Sequence, residues 1–568
     1  MEQPIVATSS GPVRGRWRTI PSASMPFPDG DARTAVPPVD RPGRARAAAS
    51  APAAVGAPHR SAAFLGIPFA AAPVGPLRFA APRRPEPWEG VRDALVHGAT
   101  AKRHEVGPTS VPEPVVPGAA TLNVDVYTPA PADRAAHLPV LVWIHGGGYT
   151  AGSPASPWYD GAAFNRDGVV TVTISYRLGF DGFGWIPGAP DNRGVLDWIA
   201  ALEWVGENIE AFGGDPARVT IAGQSAGAGA ALTLLGISGP GGAAEGLFHQ
   251  VVCLSTALGD VPRELAQEQA ERLAALAGVP RTREGFASVS EDWLLGLQDR
   301  AARPPSRHPL AGVRALLHEP IAWSPMVDGA LIPRPTPDSL ASGAGAGTPL
   351  VVGATDDEFS QVVSPFERAL RHVPVGLALG ALGLRGAERR AYVAANRDRL
   401  TTAGHGRFLG RYGSDAALRR GVPWFAEARR AGAARATVAA TGPAPTWAYR
   451  FAWPSSVSGF ASHCLDIPFF FDCLGAPGVA ALAGPMPPQD LADRLHAAAV
   501  RFVATGDAGW TPWSEAPGAT AVFGEPADAD AGQRPDASRH DEVPVSTGGY
   551  AGVWPLVETS SFSASLPL

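Results

Sequence analysis

Lysine is nearly missing from this chain of 568 residues: Lys102 stands alone among 47 basic residues, the rest being arginine. The arginine excess reads as a coding bias and carries no functional weight. Charge of either sign is sparse, 18% of residues, and the net charge is −6 with basic and acidic groups interspersed. A nucleic-acid partner is not expected, since phosphate backbones need a clustered basic surface. Only three cysteines occur, Cys253, Cys464 and Cys473, too few for a disulfide framework. The longest suspicious apolar run, Val373 to Leu384, falls short of a membrane span. Met1 to Gly15 shows no charged-then-apolar leader. These absences predict a soluble protein of a reducing compartment, the cytoplasm, with no membrane partner. His104-Glu105 and His318-Glu319 lack a second histidine four residues from the first, so no metalloprotease pattern forms. Gly343, Gly345 and Gly347 are spaced like part of a dinucleotide loop but precede a strand instead of following one. No metal and no cofactor are expected.

What is abundant is glycine and proline, with 66 and 58 residues. From Ile20 to Ser61, 22 of 42 residues are Pro, Ala or Gly and six are large apolar types. Such a stretch buries too little surface to offset its ordering entropy, so a flexible insertion is expected over 20–61. A second weak region runs from Glu515 to Ser546. Between them strands and helices alternate. Leu138 to Ile144 and Val169 to Ile174 are continuous apolar runs, as in strands buried on both faces. Asn192 to Phe212 places Val195, Leu196, Ile199, Leu202, Val205, Ile209 and Phe212 mostly at steps of three and four, one face of a helix. Gly213-Gly214 end it and Asp215-Pro216 turn the chain. Val219 to Ala222 reads as a short strand, Ala226 to Leu235 as a helix and Thr348 to Ala354 as a strand. This alternation predicts an α/β fold, a mostly parallel sheet flanked by helices on both faces.

Gly223-Gln224-Ser225-Ala226-Gly227 sits at a strand-to-helix junction. Glycines flank the serine because side chains there would clash in so tight a turn, and the turn lifts the serine Oγ above the sheet. The following helix aims its N–H groups and positive dipole end at the same spot. His145-Gly146-Gly147-Gly148 follows the Leu138 to Ile144 strand directly. Its glycines let backbone N–H groups approach a ligand oxygen, the form expected of an oxyanion hole made by Gly147, Gly148 and the N–H of Ala226.

At this point the chain resembles the type-B carboxylesterase family, the cholinesterase-like branch of the α/β-hydrolases. The resemblance runs from about Gly11 to about Pro555. It is carried by Phe64-Leu65-Gly66-Ile67-Pro68-Phe69-Ala70, Pro73-Val74-Gly75-Pro76-Leu77-Arg78-Phe79 and Leu122-Asn123-Val124-Asp125-Val126-Tyr127-Thr128-Pro129. It is strongest in Phe212-Gly213-Gly214-Asp215-Pro216 leading into the serine motif. It implies a single α/β-hydrolase domain over 1–568 and a serine esterase. It implies Glu358, in Gly353-Ala354-Thr355-Asp356-Asp357-Glu358, as the acid, and His463, in His463-Cys464-Leu465-Asp466-Ile467-Pro468-Phe469, as the catalytic histidine. Residue types alone select neither His463 among 13 histidines nor Glu358 over Asp356 and Asp357. The order Ser225, Glu358, His463 is that of an α/β-hydrolase.

The departures are specific. Ala119-Ala120-Thr121-Leu122 stands where the family often has a cysteine and its disulfide loop. Phe359 replaces a glycine that often follows the acid. Gln224 occupies a site that is Glu in cholinesterases, and 103–121 holds no tryptophan to face a quaternary ammonium, so choline esters are not expected. Cys464 is expected as a buried small hydrophobe, and Asp466 as a local packing or capping group, with tuning of the histidine as the alternative. The reading that results is a serine carboxylic-ester hydrolase acting on small-molecule esters. An acyltransferase or lactone-forming enzyme would use the same acyl-enzyme. A non-enzymatic binding protein on this scaffold would have lost Ser225, Glu358 or His463, and all three are present.

Overall fold

The computed structural model describes residues 2–20, 59–103, 111–304, 306, 310–435, 442–524, 543, 545–546 and 548–558. Among the described residues, eleven strands form the main sheet. In chain order they are β1 (Arg16–Ile20), β2 (His59–Pro68), β3 (Asn123–Thr128), β4 (Leu138–Ile144), β5 (Val170–Ile174), β6 (Gly214–Gln224), β7 (Gln250–Leu254), β8 (Leu350–Thr355), β9 (Thr446–Phe451), β10 (Thr520–Phe523) and β11 (Val545–Ser546). Across the sheet they run β11-β10-β9-β8-β7-β6-β4-β5-β3-β2-β1. From β10 to β5 the pairings are parallel, and both margins are antiparallel.

The central strands are apolar at every position because both faces are covered. In β4, Val140, Val142 and Ile144 enter one core while Leu141 and Trp143 enter the other. This is the period of two expected of a pleated strand. The first core is closed by α1 (Arg193–Asn208) and α2 (Ala226–Gly236), through residues such as Trp198, Leu202 and Leu232. Further along the chain α3 (Arg397–Ser414) adds Phe408, Leu409 and Tyr412 to it. The second core is closed by α4 (Gln489–Thr505), through Leu491, Leu495 and Phe502.

Several expectations change in detail. The helix expected over 192–212 is α1 followed by a tighter turn, Ile209–Phe212, ending at Gly213 with φ 83°. The expected four-residue strand is the end of the eleven-residue β6. Its register with β4 shifts between Leu138 and Val140, so Asp215-Pro216 bulge out of the ladder instead of ending the strand. Residues 21–58 of the expected insertion lie outside the described residues. Its two flanks are strand, with Ile20 paired to His59 and Arg18 to Ser61. Composition makes 515–546 a weak region, and there the structure differs. Thr520–Phe523 is buried at all four positions and pairs with β9 and β11. Residues 525–542 and 544 lie outside the described residues.

Candidate active site

Four parallel strands end on the same edge of the sheet, and each delivers one part of a site. This is where open α/β sheets place their ligands. Ser225 follows β6 and caps α2, with φ 58° and ψ −123°. That conformation is strained for a residue with a Cβ. It persists because the turn is held on all sides. Ser225 N donates to Leu254 O at 2.9 Å, and Ser225 O accepts from Gly229 N and Ala257 N at 3.0 and 3.1 Å. The flanking glycines are obligatory for a visible reason. A Cβ on Gly223 would stand 2.7 Å from Ile144 O, and one on Gly227 would overlap that same oxygen.

The loop after β4 brings Gly147 and Gly148 alongside, with φ of 107° and 60°. A Cβ on Gly147 would run into the Ala151 carbonyl, and one on Gly146 would lie 2.7 Å from Gln224 O. The loop is closed by Thr150 N and Ala151 N donating to Gly147 O at 3.1 and 2.9 Å. Its far end is held by Glu113, whose Oε2 accepts from Gly152 N at 3.2 Å and which ion-pairs with Arg103. Neither Arg103 nor Glu113 carries a motif, and nothing in the sequence marks them.

Glu358 follows β8 and His463 follows β9. Glu358 Oε2 lies 2.5 Å from His463 Nδ1, while its Oε1 accepts from Thr355 N at 2.9 Å. The two loops are stitched by backbone bonds, His463 N to Glu358 O at 3.1 Å and Asp357 N to Ala461 O at 2.9 Å. The histidine loop is anchored by the aromatics just after it. Phe469 packs on Phe451 and Trp453 with ring centroids 5.1 and 5.3 Å apart, and Phe471 meets Trp143 at 4.9 Å. Each such pair adds on the order of 1 kcal/mol beyond area burial. Burial alone would favour the neutral imidazole of His463. The adjoining Cys464 sulfur and Glu358 carboxylate outweigh it and hold the pKa well above the ordinary value.

The structure therefore brings Ser225, His463, Glu358 and the two glycines to one strand edge. Among the described residues, however, no hydrogen bond joins Ser225 Oγ to His463. Gln224 Nε2 lies 3.2 Å from His463 Nε2, and Gln224 Oε1 accepts from Cys464 Sγ at 3.4 Å. Cys464 is thus buried as expected, and it also carries a polar contact. Phe359 lies against the histidine, ring centroids 5.4 Å apart, and its N–H donates to Ser414 Oγ. Three further polar residues back the site. Buried Ser255 accepts from Thr355 N at 3.4 Å, and buried Asp466 accepts from Tyr449 OH at 2.9 Å. Burial and the nearby Glu358 charge push the Asp466 carboxyl up to about 7. Their signal was partly legible for Asp466, three residues after His463, and absent for Ser255 and Tyr449.

The acids adjacent to Glu358 face elsewhere. Asp357 accepts from Ser360 Oγ at 3.0 Å. Asp356 is buried and receives Arg450 Nε and Nη2 at 2.8 and 2.9 Å, with Arg419 and Arg411 close by. Burial opposes its ionisation, yet these arginines hold it far below the ordinary carboxylate range. Removing one partner from a buried ion pair leaves the others uncompensated, at a cost of about 3–5 kcal/mol. Asp356→Asn should therefore lower the thermal midpoint by several degrees. An unchanged melting curve would contradict this reading of the cluster.

Among the described residues, no group of three or more His, Cys, Asp or Glu side chains is arranged to hold a metal ion. No helix among them is long and apolar enough to cross a membrane. The three cysteines are free.

Comparison with known proteins fits this geometry. A family model described as "Carboxylesterase family" matches residues 53–375. The chain is similar to the para-nitrobenzyl esterase of Bacillus subtilis, 30% identical, covering 78% of this chain and 86% of that one. It is similar to the fumonisin B1 esterase of Sphingopyxis macrogoltabida, 31% identical with 78% of each chain covered. With the medium-chain fatty acyl-CoA hydrolase precursor of Anas platyrhynchos it is 36% identical, and there the match spans only 53% of that relative's length. Among solved structures, the carboxylesterase of Geobacillus stearothermophilus superposes with a TM-score of 0.69 at 29% identity, covering 92% of this chain and 96% of that one.

Proposed function

The chain belongs to the carboxylesterase family and is a carboxylic-ester hydrolase, and from that premise we propose that Ser225, His463 and Glu358 are its nucleophile, base and orienting acid. His463 Nδ1–H donates to Glu358, which fixes the tautomer and leaves Nε2 unprotonated, its lone pair facing the Gln224 amide. When an ester enters, the imidazole turns from Gln224 to Ser225 Oγ and accepts its proton as Oγ attacks the carbonyl carbon. Catalytic hydrogen bonds that are loose in a free enzyme tighten in this way on substrate binding. The N–H groups of Gly147, Gly148 and Ala226 hold the oxyanion, each contributing on the order of 3 kcal/mol. His463 then gives the proton to the leaving alcohol. Water, activated by the same imidazole, releases the acid and restores Ser225.

The observation that carries the reading is the 2.5 Å contact of Glu358 with His463, on loops that open beside the strained Ser225 turn. Small-molecule esters are the substrate class. The same proposal takes 1–568 as one unit, because one sheet draws strands from Arg16 to Ser546. It places the protein in the cytoplasm, a location supported by the three free cysteines. The net charge of −6 supports a role without nucleic acid.

A panel of p-nitrophenyl esters from acetate to palmitate, with product analysis in excess alcohol, tests the reaction class. Free acid as the main product supports hydrolysis. An ester of the added alcohol as the main product would make the enzyme an acyltransferase. The pH profile tests the base. An imidazolium takes no proton from serine, so kcat/KM should rise with pH through an inflection above the ordinary histidine value of 6.5. Glu358→Gln removes a charge that favours the imidazolium and should move that inflection to lower pH. An inflection that stays in place would remove Glu358 from contact with the base.

A further inference from the structure

Beside the ion cluster of Asp356 lies a cavity of about 300 Å³, lined by Arg399, Arg411 and Arg450 and also by Asp398 and Asp415. Arg399 and Arg411 of α3 and Arg450 of β9 face it, and the backbone of Gly548 and Gly549 forms another wall. Asp415 in its lining and Asp356 beside it are already shared. Asp356 is held by Arg411, Arg419 and Arg450, and Asp415 by Arg411 and Arg419. Asp415 also accepts from Tyr392 OH at 2.8 Å. Arg399 is left over. Its half-buried guanidinium makes no ion pair or hydrogen bond among the described residues, and Asp398, the lining residue next to it in the chain, is exposed. The positive charge of Arg411, followed by burial, lowers the pKa of Arg399. A cation in such a place gains from any anion that reaches it, and a guanidinium fork suits oxyanions in particular.

We propose that this cavity is a binding site for a compact oxyanion carrying two or more negative charges, a phosphate group or a small polycarboxylate, with Arg399 as its principal contact. Its size suits such a ligand, since 300 Å³ is at the small end of ligand pockets. Its glycine wall brings the backbone close without side-chain obstruction. The site also touches the catalytic machinery at one remove, because Arg411 Nη1 donates to the carbonyl oxygen of Asp356 at 2.6 Å, two residues before Glu358.

Isothermal titration of the full chain with inorganic phosphate and with citrate tests this, at ionic strength matched with sodium chloride. Saturable binding of at least one of the two anions is expected. Arg399→Gln should weaken it by about tenfold or more, the worth of a charge-assisted contact, while ester hydrolysis stays at the wild-type rate. Asp398→Asn, which removes a negative charge from the lining, should tighten it. Phosphate binding without citrate, or the reverse, identifies which oxyanion fits and supports the site. The proposal is overturned if neither anion binds saturably, if Arg399→Gln binds as wild type does, or if sodium chloride alone reproduces the heat. Should Arg399→Gln prove unfolded, judged by lost hydrolysis, the Asp398→Asn titration decides alone, and unchanged or weaker binding overturns the site.

Discussion

Replacing Ser225 by alanine should lower kcat by about a million-fold, the size of loss seen when a triad nucleophile is deleted. The folded state should survive. The change removes one oxygen from a turn whose hydrogen bonds are all made by backbone atoms: Ser225 N to Leu254 O, and Gly229 N and Ala257 N to Ser225 O. Alanine has the same Cβ and meets the same φ of 58°, so the backbone strain is unchanged. A melting midpoint near wild type with hydrolysis at the level left by the oxyanion donors is the expected pair of results. Retained turnover would move the nucleophile elsewhere. A collapsed melting curve would show that Oγ supports the turn itself.

Glu358→Gln should lower kcat by about 10⁴-fold if the acid works as in other serine triads, with a much smaller change in KM. The side chain keeps its shape but loses the charge that stabilises the imidazolium. Glutamine also offers an N–H where His463 Nδ1 needs an acceptor, which disfavours the working tautomer. The comparison with neighbours is decisive because the three acids have different partners. Asp357→Asn touches Ser360 and should change kcat by less than about tenfold, as for a group outside the proton path. Asp356→Asn should show its effect in stability, through Arg450, Arg419 and Arg411. Near wild-type turnover in Glu358→Gln with a dead Asp variant would reassign the acid.

What the sequence could carry was local. The run Leu138 to Ile144 reads as a strand because every residue is apolar, and both faces of β4 are buried. The serine turn is legible because all its constraints lie within five residues and involve backbone contacts that only glycine permits. His463 and Glu358 are different. They lie 105 residues apart, and their meeting depends on the ends of β8 and β9 reaching one edge, which no local pattern encodes. Only the family resemblance singles them out. Composition misled at Thr520–Phe523, where four buried strand residues sit inside a stretch rich in Ala, Asp, Gly and Pro. The ion cluster around Asp356 is non-local in the same way as the triad. Arg411 and Arg419 flank Asp415 at steps of four, but their meeting with Asp356 and Arg450 depends on how this helical stretch packs on the sheet. Gln224 was visible as a departure, but its contact with His463 Nε2 follows from side-chain geometry alone.

The central claim, that Ser225 is the nucleophile served by His463, is tested most directly by covalent trapping. The protein is inactivated with an organophosphonate and the adduct is located by mass spectrometry of its peptides. One adduct per chain on Ser225, formed in step with the loss of activity and not formed in the His463→Ala variant, is the predicted result. Complete inactivation with the adduct on another residue and Ser225 unmodified would contradict it.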